Sequence, residues 1–277
     1  MCLEDNGAAM SDDATSFHGN IPENYDRGLG PVFFTDFADE IARRTAANMP
    51  ARVLETCAGT GIVTRRLRNL LPAKAQLVAA DLNPPMLEVA RGKFAPGEAV
   101  EFQPADATEL PFPDRSFDAV VCQFGVMFFP DKEKSYREAY RVLKPGGHYL
   151  FSVWDEHRFN PAPRLVHEML GGLFPDDPPP FYEVPFAYHR IDPIREVATE
   201  AGFSDFRAAA LHIDKGVPDM ASFARGLIYG NPVVEQIRSR GGDPGLILDK
   251  LTESLRREFG DPGHVPLQII VFEVTRR

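Results

Sequence analysis

Long apolar runs are missing from this chain of 277 residues. None reaches the roughly 18 residues that a membrane-spanning helix needs, so no membrane partner is expected. Clusters of Lys or Arg are missing too, and the formal net charge is −10. Affinity for nucleic acid comes mainly from cations that neutralise phosphate, so DNA and bulk RNA are not expected partners. Cysteine is scarce. Cys2, Cys57 and Cys122 are scattered, without the spacing of a metal site. They read as reduced thiols of a cytoplasmic protein, and no metal is expected. The opening stretch MCLEDNGAAMSDD is acidic and has no apolar core, so it does not read as a signal peptide. No internal repeat is visible. The apolar fraction of 44% is enough to bury a sizeable core, and 277 residues suit one large domain better than two.

The stretch from Val53 to Gly61, VLETCAGTG, is the most telling part of the chain. It reads as a short strand, an acid, a glycine-rich turn and the start of a helix at Ile62. Gly59 and Gly61 lack Cβ, so backbone there can take positive φ and come close to a ligand. Glu55 at the strand end decides which ligand. A pyrophosphate wants a bare, positive helix N-terminus and is repelled by a carboxylate in the same turn. S-adenosylmethionine carries a sulfonium and an ammonium, which a carboxylate suits. A dinucleotide fingerprint also wants a third small residue where this chain has Thr64.

A second apolar run, Leu77-Val78-Ala79-Ala80-Asp81, also ends in an acid. Asp81 lies about 20 residues after Gly61, the offset at which an acid binds a ribose diol. Leu82 is placed to lie against adenine. A third run, Val100 to Gln103, ends near Asp106, which can accept from the adenine amino group. The glycine loop together with Glu55, Asp81 and Asp106, each after a predicted strand, is far more specific than any one motif.

Residues 53–155 resemble the class I S-adenosylmethionine-dependent methyltransferases, closest in style to the type 11 small-molecule group. The resemblance rests on VLETCAGTG at 53–61, LVAADLNPPMLEVAR at 77–91, PADATELPFPDRSFDAVVCQFGVMFFPD at 104–131 and REAYRVLKPGGHYLFSVWD at 137–155. It implies a Rossmann-like sheet of seven strands with S-adenosylmethionine as cofactor. It assigns the methionine end of the donor to Glu55, Cys57, Ala58, Gly59 and Gly61. Ribose goes to Asp81 and Leu82, adenine to Asp106 and Ala107, and the methyl to Gln123 and Phe124. Cys57 departs from the commoner glycine. The core also resembles the quinone-pathway C-methyltransferases, but their N-terminal signature is missing.

The pattern along the chain predicts an α/β fold with a doubly wound, mostly parallel sheet. Residues 1–17 read as a disordered tail and 18–277 as a single domain. Gly19–Leu29 reads as loop, and Thr35 as the cap of a helix over 36–48. Strands are expected at 51–55, 76–81, 99–103, Phe117–Gln123, His148–Trp154, 206–213 and Leu267–Thr275. Asn83 caps a helix opened by Pro84 and Pro85. Asp131 starts a helix over 132–143 that Lys144-Pro145-Gly146-Gly147 stops, and another helix spans 192–201.

Two stretches exceed a minimal core, 156–190 and 214–262. Both are expected to act as helical lids over the donor and to shape an acceptor pocket, the second through residues such as Phe223 and Tyr229. In it Leu246, Leu248, Leu251, Leu255 and Phe259 recur at helical spacing. Their aromatic content, with Phe174, Phe181, Tyr182 and Phe186, suggests an apolar or aromatic acceptor.

Positioning alone can supply much of the barrier reduction for methyl transfer, so a general base is needed only for a weakly acidic or protonated acceptor. The catalytic candidates are Tyr25, Gln123 and His157. Tyr25 resembles the N-terminal tyrosine that closes over the donor in related enzymes. His189 and His212 read as surface histidines, and His148 sits at the wrong strand end. Asn83-Pro84-Pro85-Met86 reads as a helix start, not a catalytic motif. Within the run from Phe124 to Phe129, Phe124 alone is expected to face the methyl. The expected function is methyl transfer from S-adenosylmethionine to a small molecule by a monomer or homodimer. A non-catalytic donor-binding protein and an NAD-dependent oxidoreductase are the alternatives, the latter weakened by Glu55 and Thr64.

Overall fold

The computed structural model describes residues 15–277. The chain runs α1 (Ile21–Asn24), a π-helical stretch Tyr25–Phe34, α2 (Thr35–Ala47), β1 (Arg52–Thr56), α3 (Ile62–Leu70), β2 (Gln76–Asp81), α4 (Pro84–Arg91), β3 (Val100–Pro104) and β4 (Phe117–Gln123). It continues through α5 (Lys132–Val142), β5 (Leu143–Trp154), α6 (Pro161–Leu173), α7 (Val184–Ala187), α8 (Ile191–Glu200) and β6 (Phe203–Val217). The helices α9 (Met220–Tyr229), α10 (Val233–Ser239) and α11 (Pro244–Phe259) then precede β7 (Gly263–Arg276).

The seven strands form one sheet in the order β3-β2-β1-β4-β5-β7-β6. All pairs are parallel except those of β7, which runs antiparallel between β5 and β6. The chain builds outward from β1 to β3, then returns to place β4 on the other side of β1. That reversal opens a crevice beyond the carboxyl ends of β1 and β4, where α/β sheets bind ligands. Glu55 pairs with Ala79 on one side and Val121 on the other, so the ends of β1, β2 and β4 are level. Val53, Leu54, Val120 and Val121 are fully buried, as central parallel strands require. Val63, Leu67 and Leu71 form the predicted buried stripe of α3.

Several boundaries differ from the sequence reading. Gly19–Leu29 is not a loop, because the chain is helical from Ile21 to Ala47. Pro22 sits in the first turn, where no backbone donor is needed. Gly28 is there for close packing: a Cβ on it would lie 2.6 Å from the Gly226 Cα of α9. Thr35 is not a cap, since its hydroxyl donates to the Gly30 carbonyl at 3.0 Å inside a continuing helix. Asn83 occupies the N-cap position of α4 without capping by side chain; its Oδ1 accepts from the Phe17 N–H instead. The Lys144–Gly147 turn lies within β5, at the register shift between Phe117 and Ala119 of its neighbour. Strands β6 and β7 are longer than expected, so the second insertion is 218–262. Leu246 is 63% exposed, and Ile247, Leu251 and Leu255 form the buried face of α11. The tail expected over 1–17 lies outside the described residues up to position 14. Phe17 is described, and its ring meets Tyr25 edge-on at 5.8 Å.

Candidate functional site

The loop after β1 carries positive φ at Cys57 (55°), Gly59 (54°) and Gly61 (78°). The two glycines serve different ends. Before Gly59 there is open space, with only the Met86 methyl 3.6 Å from a Cβ placed there. At Gly61 a Cβ would lie 2.9 Å from the Ala90 Cβ, so this glycine lets α3 start hard against α4. Asp81 is buried and ties the loop to β2. Its Oδ2 accepts from the Gly59 N–H and its Oδ1 from the Asn83 N–H, each at 2.8 Å. Burial raises its pKa above the usual carboxylate range.

A cavity of about 320 Å³ opens over these strand ends. Cys57, Gly59, Asp81 and Leu82 line one side, and Asp106, Ala107, Gln123 and Phe124 the other. Leu82 is 57% exposed, an apolar side chain held at the cavity edge. Asp106 accepts from the Thr108 N–H and hydroxyl through Oδ1, at 2.7 and 2.8 Å. Deeper in, a space of about 30 Å³ is lined by Glu55, Ala58, Gln123 and Tyr25 among others. Two buried acceptors lack donors there, Glu55 Oε2 and Gln123 Oε1. Gln123 Nε2 is held by the Phe34 carbonyl at 3.2 Å, so its oxygen is the end left free. Burial pushes the Glu55 carboxyl up to about 8. A buried acceptor without a partner is costly, and two together invite a cationic donor.

A third space, about 70 Å³, adjoins on the other side of Phe124. The π-helical stretch gives it Leu29, Phe33 and Phe34, and β5 gives Trp154. From the first insertion come Phe181, Tyr182, Pro185 and Phe186, and from the second Asn231. Tyr25 lines all three spaces. Its ring stacks on Phe34 at 4.7 Å, and burial raises its pKa, so its hydroxyl stays protonated. Phe124, with φ of 58°, stands between the large cavity and the aromatic one.

A family model described as a methyltransferase domain matches residues 54–151. A demethylmenaquinone methyltransferase of Thermus thermophilus is 36% identical over 203 residues, covering 64% of this chain and 90% of that one. The chain belongs to the class I S-adenosylmethionine-dependent methyltransferases. It is an enzyme of that class, and its cofactor is S-adenosylmethionine. A ubiquinone/menaquinone biosynthesis C-methyltransferase of Pseudomonas savastanoi is 43% identical over 117 residues, 41% of this chain and 44% of that one. The match to this relative thus spans less than half of its length. Among solved structures, a phosphoethanolamine N-methyltransferase of Haemonchus contortus superposes with a TM-score of 0.60 at 19% identity, covering 92% of this chain and 56% of that one. The YcgJ protein of Bacillus subtilis superposes at 0.55 and 20%, covering 86% and 98%. Both show the same sheet and flanking helices.

Some residues of this methyltransferase stand elsewhere than the sequence suggested. His157 lines none of the three spaces; its Nε2 contacts the Tyr182 carbonyl at 2.9 Å and its ring packs on Phe186 at 4.3 Å. Burial lowers its pKa. His189 lines a separate open cleft with Asp155 and Gln268. His148 is at the far end of β5, beside Thr275, and His212 is on the outer strand. Phe223 meets Phe33 edge-on at 5.2 Å, and Tyr229 lies under Arg225, so neither lines the aromatic space. Phe128 and Phe129 line the large cavity beside Phe124 while packing into the core, because a tight turn over Val126–Phe128 redirects the chain. Phe17, Met86, Ala105 and Pro130 also line it and were not singled out. Met86 had one legible signal, its position in the first turn after Asp81.

Proposed function

We propose that the large cavity and the small space beside Glu55 hold S-adenosylmethionine, and that the aromatic space takes a hydroxylated aromatic ring of the quinone class. The donor set fits the cofactor. Glu55 Oε2 and Gln123 Oε1 are unpaired acceptors suited to the cationic methionine end. Cys57, Ala58 and Gly59 would cradle that end. Asp81 accepts from the Gly59 N–H through Oδ2 and from the Asn83 N–H and side-chain amide through Oδ1, which leaves Oδ2 the freer oxygen for a ribose hydroxyl. Leu82 offers an apolar face to adenine, Asp106 leaves Oδ2 for its amino group, and Ala107 borders the same end. Gly61 acts through the packing of α3 on α4.

When bound, the cofactor supplies a methyl carbon activated by its sulfonium for in-line displacement. This chain's part is to position and to exclude water. Phe124 and Trp154, stacked at 4.4 Å, would hold the acceptor ring at the boundary of the two spaces. Tyr25, kept protonated, would donate a hydrogen bond and not remove a proton. Among the described residues, none lining the aromatic space is a histidine, lysine or carboxylate, so the acceptor must bring its own acidic hydroxyl. That observation carries the reading. It disfavours a phosphorylated acceptor, for which no lysine or arginine is available, and it suits the ring named in the Thermus relative.

Residues 18–277 are proposed to act as one domain in which 156–190 forms the aromatic lid and 218–262 its support. A cytoplasmic location is supported by the free thiols of Cys57 and Cys122. The test is incubation with S-adenosylmethionine and reduced 1,4-naphthoquinone, reading ring methylation by mass spectrometry, with phosphoethanolamine alongside. Turnover of phosphoethanolamine alone would refute the acceptor class.

A further inference from the structure

Among the described residues that line the aromatic space, Asn231 is the one amide side chain, and it is 5% exposed. Its orientation follows from its neighbours. The Tyr182 hydroxyl donates its single proton to the Leu227 carbonyl at 2.6 Å. The Tyr182 oxygen can therefore only accept at its 3.1 Å contact with Asn231, which identifies the amide atom there as Nδ2. Nδ2 also donates to the Leu227 carbonyl, at 3.3 Å. Flipping the amide would set Oδ1 against a carbonyl lone pair and a hydroxyl with no proton to give. Oδ1 is thus left as an acceptor to which no group among the described residues donates.

The frame around it is rigid. Tyr182 is 2% exposed, and the preceding Phe181 N–H donates to Gln236 Oε1 at 3.1 Å, joining the first insertion to α10. Leu227 lies in the last turn of α9, so the second insertion supplies the carbonyl that fixes both side chains.

We propose that Asn231 is a specificity-determining residue whose Oδ1 accepts a hydrogen bond from a ring hydroxyl of the methyl acceptor. This rests on the reading of the aromatic space as the acceptor site. Without that bond a ring hydroxyl in this space meets no side-chain amide acceptor, and the aromatic walls fix depth better than rotation. With it, one hydroxyl is pinned at the Asn231 wall, and the ring edge turned towards Phe124 and the donor is selected. Tyr182 is a positioning residue in this scheme, since it acts by holding the amide.

The test compares binding of 1-naphthol and 1-methoxynaphthalene by calorimetry, in the presence of S-adenosylhomocysteine. Trp154, the sole tryptophan of the chain, lines the same space, and a change in its emission reports where the probe binds. The wild type is expected to favour the naphthol by roughly tenfold, the scale of one buried hydrogen bond. Asn231→Leu should bring the two probes within about twofold while S-adenosylhomocysteine affinity holds. Tyr182→Phe, which keeps the ring, should narrow the preference too and covers a failure of the first variant to fold. Equal binding of both probes by the wild type, or an unchanged preference in a folded variant, overturns the role of Asn231 and leaves the acceptor site standing. Failure of 1-naphthol to bind, or to alter Trp154 emission when it does, overturns both.

Discussion

The ring of Phe124 lies flat on that of Trp154, with centroids 4.4 Å apart and planes 6° from parallel. Phe124 directly follows the last residue of β4 and Trp154 ends β5, so the stack joins two neighbouring strand ends at the boundary of donor and aromatic spaces. Phe124→Leu keeps much of the volume and removes the stack. It is expected to lower stability by about 0.5–1.5 kcal/mol and to shift Trp154 emission. Denaturant unfolding and emission spectra measure both, and no change in either would mean that the stack does not order this wall.

Asp81→Asn removes the charge from a side chain that already holds two backbone donors. Charge-assisted hydrogen bonds contribute roughly 1.5–3 kcal/mol, so S-adenosylhomocysteine should bind about ten to 150 times more weakly. Calorimetry at constant pH reads this directly. An unaltered dissociation constant in a folded variant would move ribose away from Asp81.

Glu55 makes the site sensitive to pH. Its folded pKa, pushed up to about 8, exceeds the unfolded carboxylate value near 4.3. Between these values the folded protein holds a proton that the unfolded chain has lost. The carboxyl's contribution to stability is therefore full below pH 4.3 and declines as pH rises towards about 8. An ammonium placed beside it favours the ionised form, so product binding at pH 7 should expel up to about one proton. Calorimetry in buffers of different ionisation enthalpy should show that release in the wild type and not in Glu55→Gln. Identical release in both would exclude Glu55 as the ammonium partner.

Gly28→Ala tests the helical cover that the sequence reading missed. The added methyl would sit 2.6 Å from the Gly226 Cα, closer than real contacts allow. Forcing a methyl into such a contact costs about 1–3 kcal/mol. The melting temperature should fall, and S-adenosylhomocysteine affinity with it, because Tyr25 is carried on the same helical run. A variant that melts like the wild type would show that the two helices do not cross this closely.

Strands β2 and β4 were legible to the residue, and Glu55, Asp81 and Asp106 could be placed at strand ends. Such features are short-range: alternation of strand and helix, a turn that needs glycine, an acid at a fixed offset. The π-helical stretch was not legible, because Gly28 reads as part of a loop until Gly226 of α9 is seen pressed against it.

By itself the sequence determined the sheet, the glycine loop and the preference for a cationic donor over a pyrophosphate, because those depend on residues near one another in the chain. Only the tertiary structure decided which aromatics line a pocket. Phe17, Phe33, Phe124, Trp154 and Phe181 come from separate segments, and a phenylalanine reads the same in sequence whether it faces a cavity or the core. Phe223 and Phe33 show this: both are buried and they touch, yet only Phe33 lines the aromatic space. The free oxygen of Asn231 is of the same kind, since it follows from a tyrosine 49 positions away that has already given its proton to Leu227.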